Sequence, residues 1–548
     1  MNKLPWYLIV LAVILQACSS PAPVPPSPEA VSTATEPPTQ QFVETSPTTI
    51  SVELSPATAP VEPSATPAVS EPPATAVINA GNFKQISQVQ AYYGVVENAV
   101  AEDFGADPFQ MSRDSWTYSP DGKYLAIGGC TENWSGPCQS DLRASKSFLY
   151  VLDASTSEIV SKVPENNGTI YGLSFTPDNS RLVYVVCPLK AAVWNLTDQA
   201  VEQVLWQEKG CPSYPKLTVS PDGGQVALVS DTRLLIFDLS SGETITQLPA
   251  VREGSVFPKY SADGSRIAVF SAKDGKAITV YDTATWQVVS TITLADGVIQ
   301  TATVDFSADG RWIVTAYTME NPDILLWDVE TGMQAAVLDE TFSYLDGLAL
   351  SPHGQLLLAS GFGYNTDIQS NVLFSVWDVG ARQWLGTIPG DTMSGRIMFD
   401  RNGETFLLGG EFGLARWSLP DEKMLAARTA LTSMLDGLAA GDYATAAGWY
   451  QPIEEEQSAL QAAGFDPTDL QETLEALCAQ SHQPCALKYE ITYSAKQPEG
   501  DYLFMVNFTA PDGSPYQDLY GNVSFGTFVS PSPDGSMHVA YLSSFFLP

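Results

Sequence analysis

The chain of 548 residues is poor in histidine and in basic residues, with three His and 26 Lys or Arg against 62 Asp or Glu. So few histidines make a histidine-based metal site or acid–base site a poor expectation. A net charge of −36 repels phosphate backbones, so nucleic acid is not the expected partner. Nucleophile elbows, P-loops, zinc-protease motifs and dinucleotide-binding glycines are also missing. We therefore expect a protein that is not an enzyme, with no cofactor and no metal.

Cysteine is also scarce, and the first of the seven lies near the start of the chain. One basic residue and an apolar run precede Leu15-Gln16-Ala17-Cys18. This start resembles a bacterial lipoprotein signal, in which the cysteine is acylated and becomes the mature N-terminus. The resemblance implies a signal peptide over residues 1–18 and lipidation of Cys18. The alternative is an uncleaved membrane anchor, and both interpretations place the remainder outside the cytoplasm, at the cell membrane or the outer membrane.

The six other cysteines form an even set that pairs naturally by sequence. The expected disulfides are Cys130 with Cys138, Cys187 with Cys211, and Cys478 with Cys485. None of these pairs has zinc-site spacing. Three disulfides imply an oxidising compartment.

Residues 19–78 lack basic residues and consist almost wholly of Pro, Ser, Thr, Ala, Val and Glu. Such a segment cannot form a core, and its composition is typical of an extended, disordered linker. We interpret it as a stalk between a membrane and the folded part of the protein.

What the chain does contain is a repeated turn. Pro presets φ at the second position, Asp bonds its own backbone, and Gly accepts the positive φ that closes the turn. Strand-like runs flank each copy, and successive copies are mostly in the low to middle forties of residues apart, the period of a four-stranded propeller blade. The seven copies are SPDG at 119–122, TPDN at 176–179, SPDG at 220–223, SADG at 261–264 and 307–310, SPHG at 351–354 and DRNG at 400–403.

A second signal follows each turn, an apolar strand that ends in a small polar residue. The copies include LWDVETG at 326–332 and VWDVGA at 376–381. The paired signals resemble the WD-repeat β-propeller family and related TolB-like propellers, over about residues 82–420. The Gly-His dipeptide of a typical WD repeat is absent, so we interpret the Asp of each copy as a turn cap.

The resemblance implies a mainly β fold, a seven-bladed β-propeller over residues 79–420. A propeller ring closes when the last blade takes one strand from the other end of the chain. Residues 77–94 are the predicted closing strand, beside the strands at 406–410 and 415–420.

After Pro420 the periodicity changes to apolar residues three and four apart. We predict two helices over residues 421–450 with a break at Gly441-Asp442, a third helix from Thr468 to about Gln480, and four strands after it. This order predicts a small α+β domain over residues 421–548. It resembles the cone-shaped fold of the nuclear transport factor 2 superfamily.

Connections differ between the two faces expected of the propeller. The tight turns occupy one face, and the long connections, including residues 130–146 and 361–371, open on the other. Binding residues concentrate on long loops held by rigid scaffolds, and aromatic residues are enriched at contact hot spots. The candidate binding residues are Trp134, Tyr214, Tyr344 and Tyr364. The alternative is that these loops lengthened by drift and their aromatic residues pack locally.

The sequence therefore predicts an exported, membrane-anchored, non-catalytic binding or scaffold protein that contacts another protein through the long-loop face. Carbohydrate or small-ligand binding at the cell surface is the alternative. A third possibility is carboxylate chemistry in the C-terminal domain, which a polar-lined cavity there would favour and an apolar filled interior would exclude.

Overall fold

A computed structural model describes the chain from residue 77 to residue 542 with internal gaps. The described residues are 77–104, 109–131, 146–164, 169–187, 190–208, 215–230, 233–249, 258–270, 277–294, 301–317, 324–338, 344–362, 364–365, 370–389, 395–410, 413–480, 484–497, 500–518 and 523–542. They belong to one unit, which extends from Ser70 to Pro548. The predicted signal peptide, Cys18 and almost all of the predicted stalk lie outside them. Within the described residues the fold is mainly β, and none of the helices is long and apolar enough to cross a membrane.

The N-terminal segment departs from the single strand predicted over residues 77–94. A 3₁₀ helix, Phe83–Gln85, is followed by strand β1, Ser87–Ala91, and helix α1, Tyr93–Phe104. The helix forms because Val96, Ala99 and Val100 recur at helical spacing and are all buried. The strand prediction was therefore right in place and wrong in extent.

Six sheets follow, and each is built from consecutive strands. Sheet one contains β2 (Phe109–Tyr118), β3 (Tyr124–Thr131), β4 (Lys146–Asp153) and β5 (Ile159–Lys162). Sheet two contains β6 (Thr169–Phe175), β7 (Arg181–Cys187), β8 (Lys190–Asn195) and β9 (Ala200–Gln207). Sheet three contains β10 (Lys216–Val219), β11 (Gln225–Ser230), β12 (Arg233–Asp238) and β13 (Thr244–Pro249). Sheet four contains β14 (Lys259–Tyr260), β15 (Arg266–Phe270), β16 (Ala277–Asp282) and β17 (Val288–Thr293). Sheet five contains β18 (Thr301–Phe306), β19 (Trp312–Tyr317), β20 (Ile324–Asp328) and β21 (Gln334–Leu338). Sheet six contains β22 (Tyr344–Leu350), β23 (Leu356–Phe362), β24 (Tyr364–Asn365), β25 (Ser370–Asp378) and β26 (Gln383–Pro389).

Sheet seven takes its fourth strand from the other end of the chain. Its consecutive strands are β27 (Arg396–Phe399), β28 (Thr405–Gly410) and β29 (Gly413–Ser418). Strand β1 pairs antiparallel with β29, with Ser87 opposite Ser418 and Ala91 opposite Ala415. The predicted pairing of the N-terminal segment with this sheet is confirmed.

The seven repeated turns share one geometry. In each, the fourth residue donates its N–H to the carbonyl of the first and has φ between 57° and 77°. Glycine occupies that position in every copy except the second, where Asn179 has φ 57°. In five copies the first hydroxyl donates to the turn Asp, as from Ser261 to Asp263 at 2.6 Å.

A second set of turns lies at the same end of the sheets, between the third and fourth strands. The Asp that ends the third strand accepts backbone N–H groups two or three residues later, as Asp238 does from Ser240 and Ser241. The Ser240 hydroxyl also donates to Asp238 and has the largest effect on its pKa. Together with the backbone bonds, it holds the pKa of Asp238 down to about 2. The interpretation of this Asp as a turn cap is confirmed at positions 153, 238, 282, 328 and 378.

Each pair of neighbouring sheets shares its own apolar cluster. Six clusters join consecutive sheets, and a seventh joins the last sheet to the first. In this seventh cluster Trp116 and Tyr118 of β2 pack with Leu407 of β28 and Leu414 of β29. The sheets therefore bury their faces against one another, including the first against the last.

The part of the chain after β29 contains helices and a second set of strands. The helices are α2 (Glu422–Ala440), α3 (Tyr443–Gly448), α4 (Glu454–Ala462) and α5 (Leu470–Cys478), and the strands are β30 (Lys488–Lys496), β31 (Tyr502–Thr509), β32 (Ser524–Pro531) and β33 (Met537–Tyr541). The predicted break is confirmed, because Gly441 has φ 71° and Asp442 caps α3. Helix α4 was not predicted. Its first turn carries Glu454, Glu455 and Glu456, a helix-start signal that was missed.

Strands β30 to β33 continue sheet seven. The strand order is β27-β28-β29-β1-β30-β31-β32-β33, with β1 parallel to β30. One face of the four C-terminal strands packs on the helices through a core that includes Leu431, Phe504 and Val539. The change from sheets to helices occurs near the predicted boundary at 420, although the sheet itself crosses it.

Candidate functional site

The two ends of the seven sheets differ in how far the strands extend. We call the end with the repeated turns the turn end and the opposite end the loop end. The first strand of sheet one has ten residues, whereas the first strands of sheets three and four have four and two. In sheet six the third strand has nine residues, and Tyr364–Asn365 adds a short strand that pairs with Ser370 and Asn371. Sheets one and six therefore extend farthest at the loop end.

Two of the four candidate aromatic residues lie in this extension of sheet six. Tyr344 begins β22 opposite Phe362, and Tyr364 lies opposite Asn371. Their backbones are thus at the loop end of one sheet, while their side chains are outside what the structure describes. Trp134 and Tyr214 lie outside the described residues, so their part of the candidate face stays a prediction.

The cysteines of the loop end have the same position in their sheets. Cys130 lies opposite Gln110 near the end of β3, and Cys187 lies opposite Thr169 at the end of β7. Cys138 and Cys211, their predicted partners, lie outside the described residues. In the C-terminal part Cys478 and Cys485 form a disulfide that closes a loop after α5.

The sequence reasoning missed a set of bonds between the first strands of neighbouring sheets. At three of the seven turns, the side chain two residues before the turn accepts the N–H of the residue just before the next turn. Ser174 accepts from Val219 at 3.1 Å, Asp305 from Leu350 at 2.9 Å, and the Met398 sulfur from Tyr118 at 3.3 Å. The last of these links sheet seven to sheet one. A fixed offset from the turn motif was the signal that could have revealed these positions.

Asp305 carries the most connections in this set. Its Oδ1 lies 2.8 Å from Lys259 Nζ of sheet four and accepts the Phe306 N–H, while Oδ2 accepts the N–H from sheet six. One buried carboxylate thus joins three consecutive sheets. The carboxylate accepts from two backbone N–H groups and lies within ion-pair distance of the lysine, so it links the first strands of these sheets.

The seventh turn begins with a carboxylate, where the other six begin with a hydroxyl. Asp400 is buried and accepts N–H groups from Glu404 and Thr405 and the Thr405 hydroxyl. Burial raises the pKa of Asp400 to about 6, and the Glu404 charge adds to the shift. Tyr118 of sheet one reaches the same Thr405 hydroxyl at 2.8 Å. The Asp400 carboxyl, with its raised pKa, therefore lies at the contact between the first and last sheets.

Two of the three histidines lie in the described part of the chain, and each has a hydrogen-bond partner in a turn. His353 replaces the Asp of the sixth turn, is exposed, and lies 2.8 Å from the Asn402 carbonyl of the next turn. His538 is in β33, with Nδ1 2.9 Å from the Ser532 hydroxyl of a hairpin turn. His482 lies outside the described residues. Within the described part of the chain, no group of three or more His, Cys, Asp or Glu side chains could hold a metal.

The C-terminal core holds one buried acidic side chain among the described residues of 421–548. Glu456 of α4 accepts the Tyr450 hydroxyl at 2.8 Å and the Leu542 N–H at 2.7 Å. Desolvation and the Glu456 charge raise the pKa of the Tyr450 phenol. Apolar side chains, including Leu460 and Leu477, fill the surrounding core. The acid therefore fastens the last strand to the helices within an apolar interior.

Comparison with known proteins gives little further constraint. No protein-family model matches the chain, and no curated protein matches it. Among solved structures, the chain is similar to one described as Kuenenia stuttgartiensis hydrazine synthase. The sequences are 14% identical, and the match covers 55% of this chain and 93% of that one with a TM-score of 0.42. A similarity this low carries no argument about function.

Proposed function

We propose that this chain is an exported, membrane-anchored, non-catalytic binding or scaffold protein whose folded part is a seven-bladed β-propeller with a C-terminal α+β domain. It binds another protein through the loop end of the sheets. The observation that carries the binding proposal is the contrast between the two ends: every repeated turn is tight and internally bonded, whereas sheets one and six extend at the other end.

The propeller part of the proposal rests on contacts that repeat around the sheets. Each neighbouring pair shares an apolar cluster, and the seventh cluster joins the last sheet to the first. The N–H bond from Tyr118 to Met398 has the same offset as the bonds from Val219 to Ser174 and from Leu350 to Asp305. A bond of one kind between sheets seven and one is what a ring of equivalent blades requires. Strand β1 supplies the fourth strand of the last blade.

The export and anchoring proposals rest on the sequence at the N-terminus. The start at residues 1–18 resembles a lipoprotein signal that ends at Cys18. The Cys478–Cys485 disulfide supports an oxidising compartment, since disulfides are rare where thiols are kept reduced. The membrane, cell or outer, is reached through the lipid on Cys18.

The C-terminal domain is proposed to have the cone-shaped fold of the nuclear transport factor 2 superfamily. Four helices precede four antiparallel strands, and the helices pack on one face of those strands. Its interior is apolar around Glu456, which favours a structural or binding role over carboxylate chemistry.

The proposal is tested by partner capture with the purified protein, its disulfides intact. The bait is incubated with detergent-solubilised envelope and, separately, with a panel of cell-wall glycans. The proposal predicts a stoichiometric protein partner that is lost when Trp134 and Tyr364 are both replaced by Ala. Retention of glycan without protein would replace it with the carbohydrate-binding alternative, and retention of neither would contradict both.

A further inference from the structure

Strand β1 belongs to two structures at once. On one side it pairs antiparallel with β29, and on the other it pairs parallel with β30 through Gln88 and Ala495. In the strand order it stands between β29 and β30, which do not neighbour each other. The sheet that joins the seven-sheet part to the C-terminal strands is therefore continuous only through β1.

This junction combines hydrogen-bonded polar side chains with one aromatic contact. The Ser87 and Ser494 hydroxyls are buried and lie 2.7 Å apart, and Tyr493 donates to Gln88 Oε1 at 3.1 Å. The Tyr493 ring also meets the Trp417 ring edge-on, with centroids 5.8 Å apart. The seven sheets, by contrast, meet through clusters of buried aliphatic and aromatic residues. Polar pairing of this kind releases less free energy on burial than apolar packing does. We therefore expect the junction of β1 with β30 to be weaker than the apolar contacts between neighbouring sheets.

The covalent connection between the two parts is short. Strand β29 ends at Ser418 and helix α2 begins at Glu422 with Asp421 as its cap. This link holds the C-terminal part nearby without pairing it to the sheets. Orientation of the C-terminal part therefore depends on noncovalent contacts, which are its pairing with β1 and the contact of Tyr493 with Trp417.

The N-terminal residues before β1 are anchored on the seven-sheet part. Ile78 donates its N–H to the Gly403 carbonyl at 3.0 Å, and Ile78, Phe83 and Ile86 are buried in the cluster shared by sheets six and seven. To withdraw β1 from its N-terminal side, these three side chains would first have to leave the apolar cluster.

We propose that β1 is a strap that holds residues 421–542 on the seven sheets, and that withdrawal of the strap frees this C-terminal part and uncovers the edge of β29 in one step. The N-terminal segment then controls the position of the C-terminal part. This inference does not depend on lipidation or on the proposed binding face.

The test uses the full chain with a protease site inserted between Leu419 and Pro420. After cleavage, the two fragments are expected to co-elute in size-exclusion chromatography, because β1 still pairs with β30. Ser494→Asp places a charge against the buried Ser87 and is expected to weaken fragment association at least tenfold. Ser530→Asp, on β32 and away from β1, is the matched control and should behave as the parent. Separation of the parent fragments, or undiminished association with Ser494→Asp, would overturn the proposal.

A second measurement guards against misfolding of the charged variant. The cleavable chain with Ser87→Cys and Ser494→Cys is oxidised, cut, and examined by non-reducing electrophoresis. The adjacency of the two hydroxyls predicts a covalent link between the fragments that a reductant removes. Fragments that stay unlinked after oxidation would show that β1 and β30 are not neighbours, which contradicts the strap.

Discussion

The turn end and the loop end of the seven sheets are made from the same strands and solve different problems. At the turn end, side-chain hydroxyls and carboxylates satisfy backbone donors within each turn and between the first strands of neighbouring sheets. At the loop end, the strands of sheets one and six extend, and 14 residues separate β3 from β4 in sheet one. From this comparison we expect the turn end and the closing segment to contribute most to stability, and the loop end is where we propose binding.

The largest expected effect comes from the closing segment. Phe83→Ala removes a buried ring from the cluster shared by sheets six and seven, and we expect a loss of about 3–5 kcal/mol in the free energy of unfolding. Denaturant unfolding measures this. Met333→Ala, at a side chain that is 70% exposed, is the control and should change stability by less than about 0.5 kcal/mol. Equal effects of the two variants would show that the segment does not close the fold.

A second variant breaks the bonds between first strands. Asp305→Ala leaves the Leu350 N–H and Lys259 without their carboxylate, and we expect a loss of about 2–3 kcal/mol. Asp305→Asn retains an oxygen for the Leu350 N–H and should cost roughly half as much. Thermal unfolding of both variants checks the order. If Asp305→Ala and Asp305→Asn were both as stable as the parent, the Asp305 carboxylate would have no role in joining the sheets.

The third prediction concerns pH and the seventh turn. Since burial raises the pKa of Asp400 to about 6, its proton stabilises the folded state at low pH, and that stabilisation is lost as the pH rises from about 4 to above 6. Asp400→Asn has no charge to bury, so it should be more stable than the parent at pH 7.5 by about 3 kcal/mol and similar at pH 4. Chemical denaturation at both pH values measures the difference. A variant destabilised equally at both would contradict the shift.

The smallest expected effect concerns the second turn. Asn179 has φ 57°, where the six equivalent positions have Gly. Asn179→Gly should therefore raise stability by about 0.5 kcal/mol, because Gly adopts this conformation without a steric cost. Gly264→Ala is the reverse change, at φ 73°, and should lower it by about 1 kcal/mol. Differential scanning calorimetry of the pair tests the sign.

Local patterns in the sequence predicted local structure well. The turn motif, the cap formed by the Asp at the end of the third strand, and the helix break at Gly441 all depend on residues a few positions apart. The N-terminal closing strand was also found, because the last predicted blade lacked a strand.

Features that depend on distant residues were missed. The parallel pairing of Gln88 with Ala495 and the contact of Asp305 with Lys259 and Leu350 join segments whose proximity no local pattern reveals. The strand predicted over residues 77–94 overlaps only the first two residues of helix α1, and the helix itself was not predicted, although its buried residues have helical spacing. The candidate binding residues were predicted from loop length and aromatic character, and only the backbones of Tyr344 and Tyr364 are described.

The central claim is that binding belongs to the loop end and stability to the turn end. The most direct test compares the parent, Trp134→Ala with Tyr364→Ala, and the turn-end variant Asp305→Asn for both melting temperature and the amount of envelope protein captured per bait molecule. The account predicts that the double loop-end variant loses at least tenfold in capture with little change in melting temperature, and that Asp305→Asn melts earlier and still captures. Full capture by the loop-end variant would contradict it.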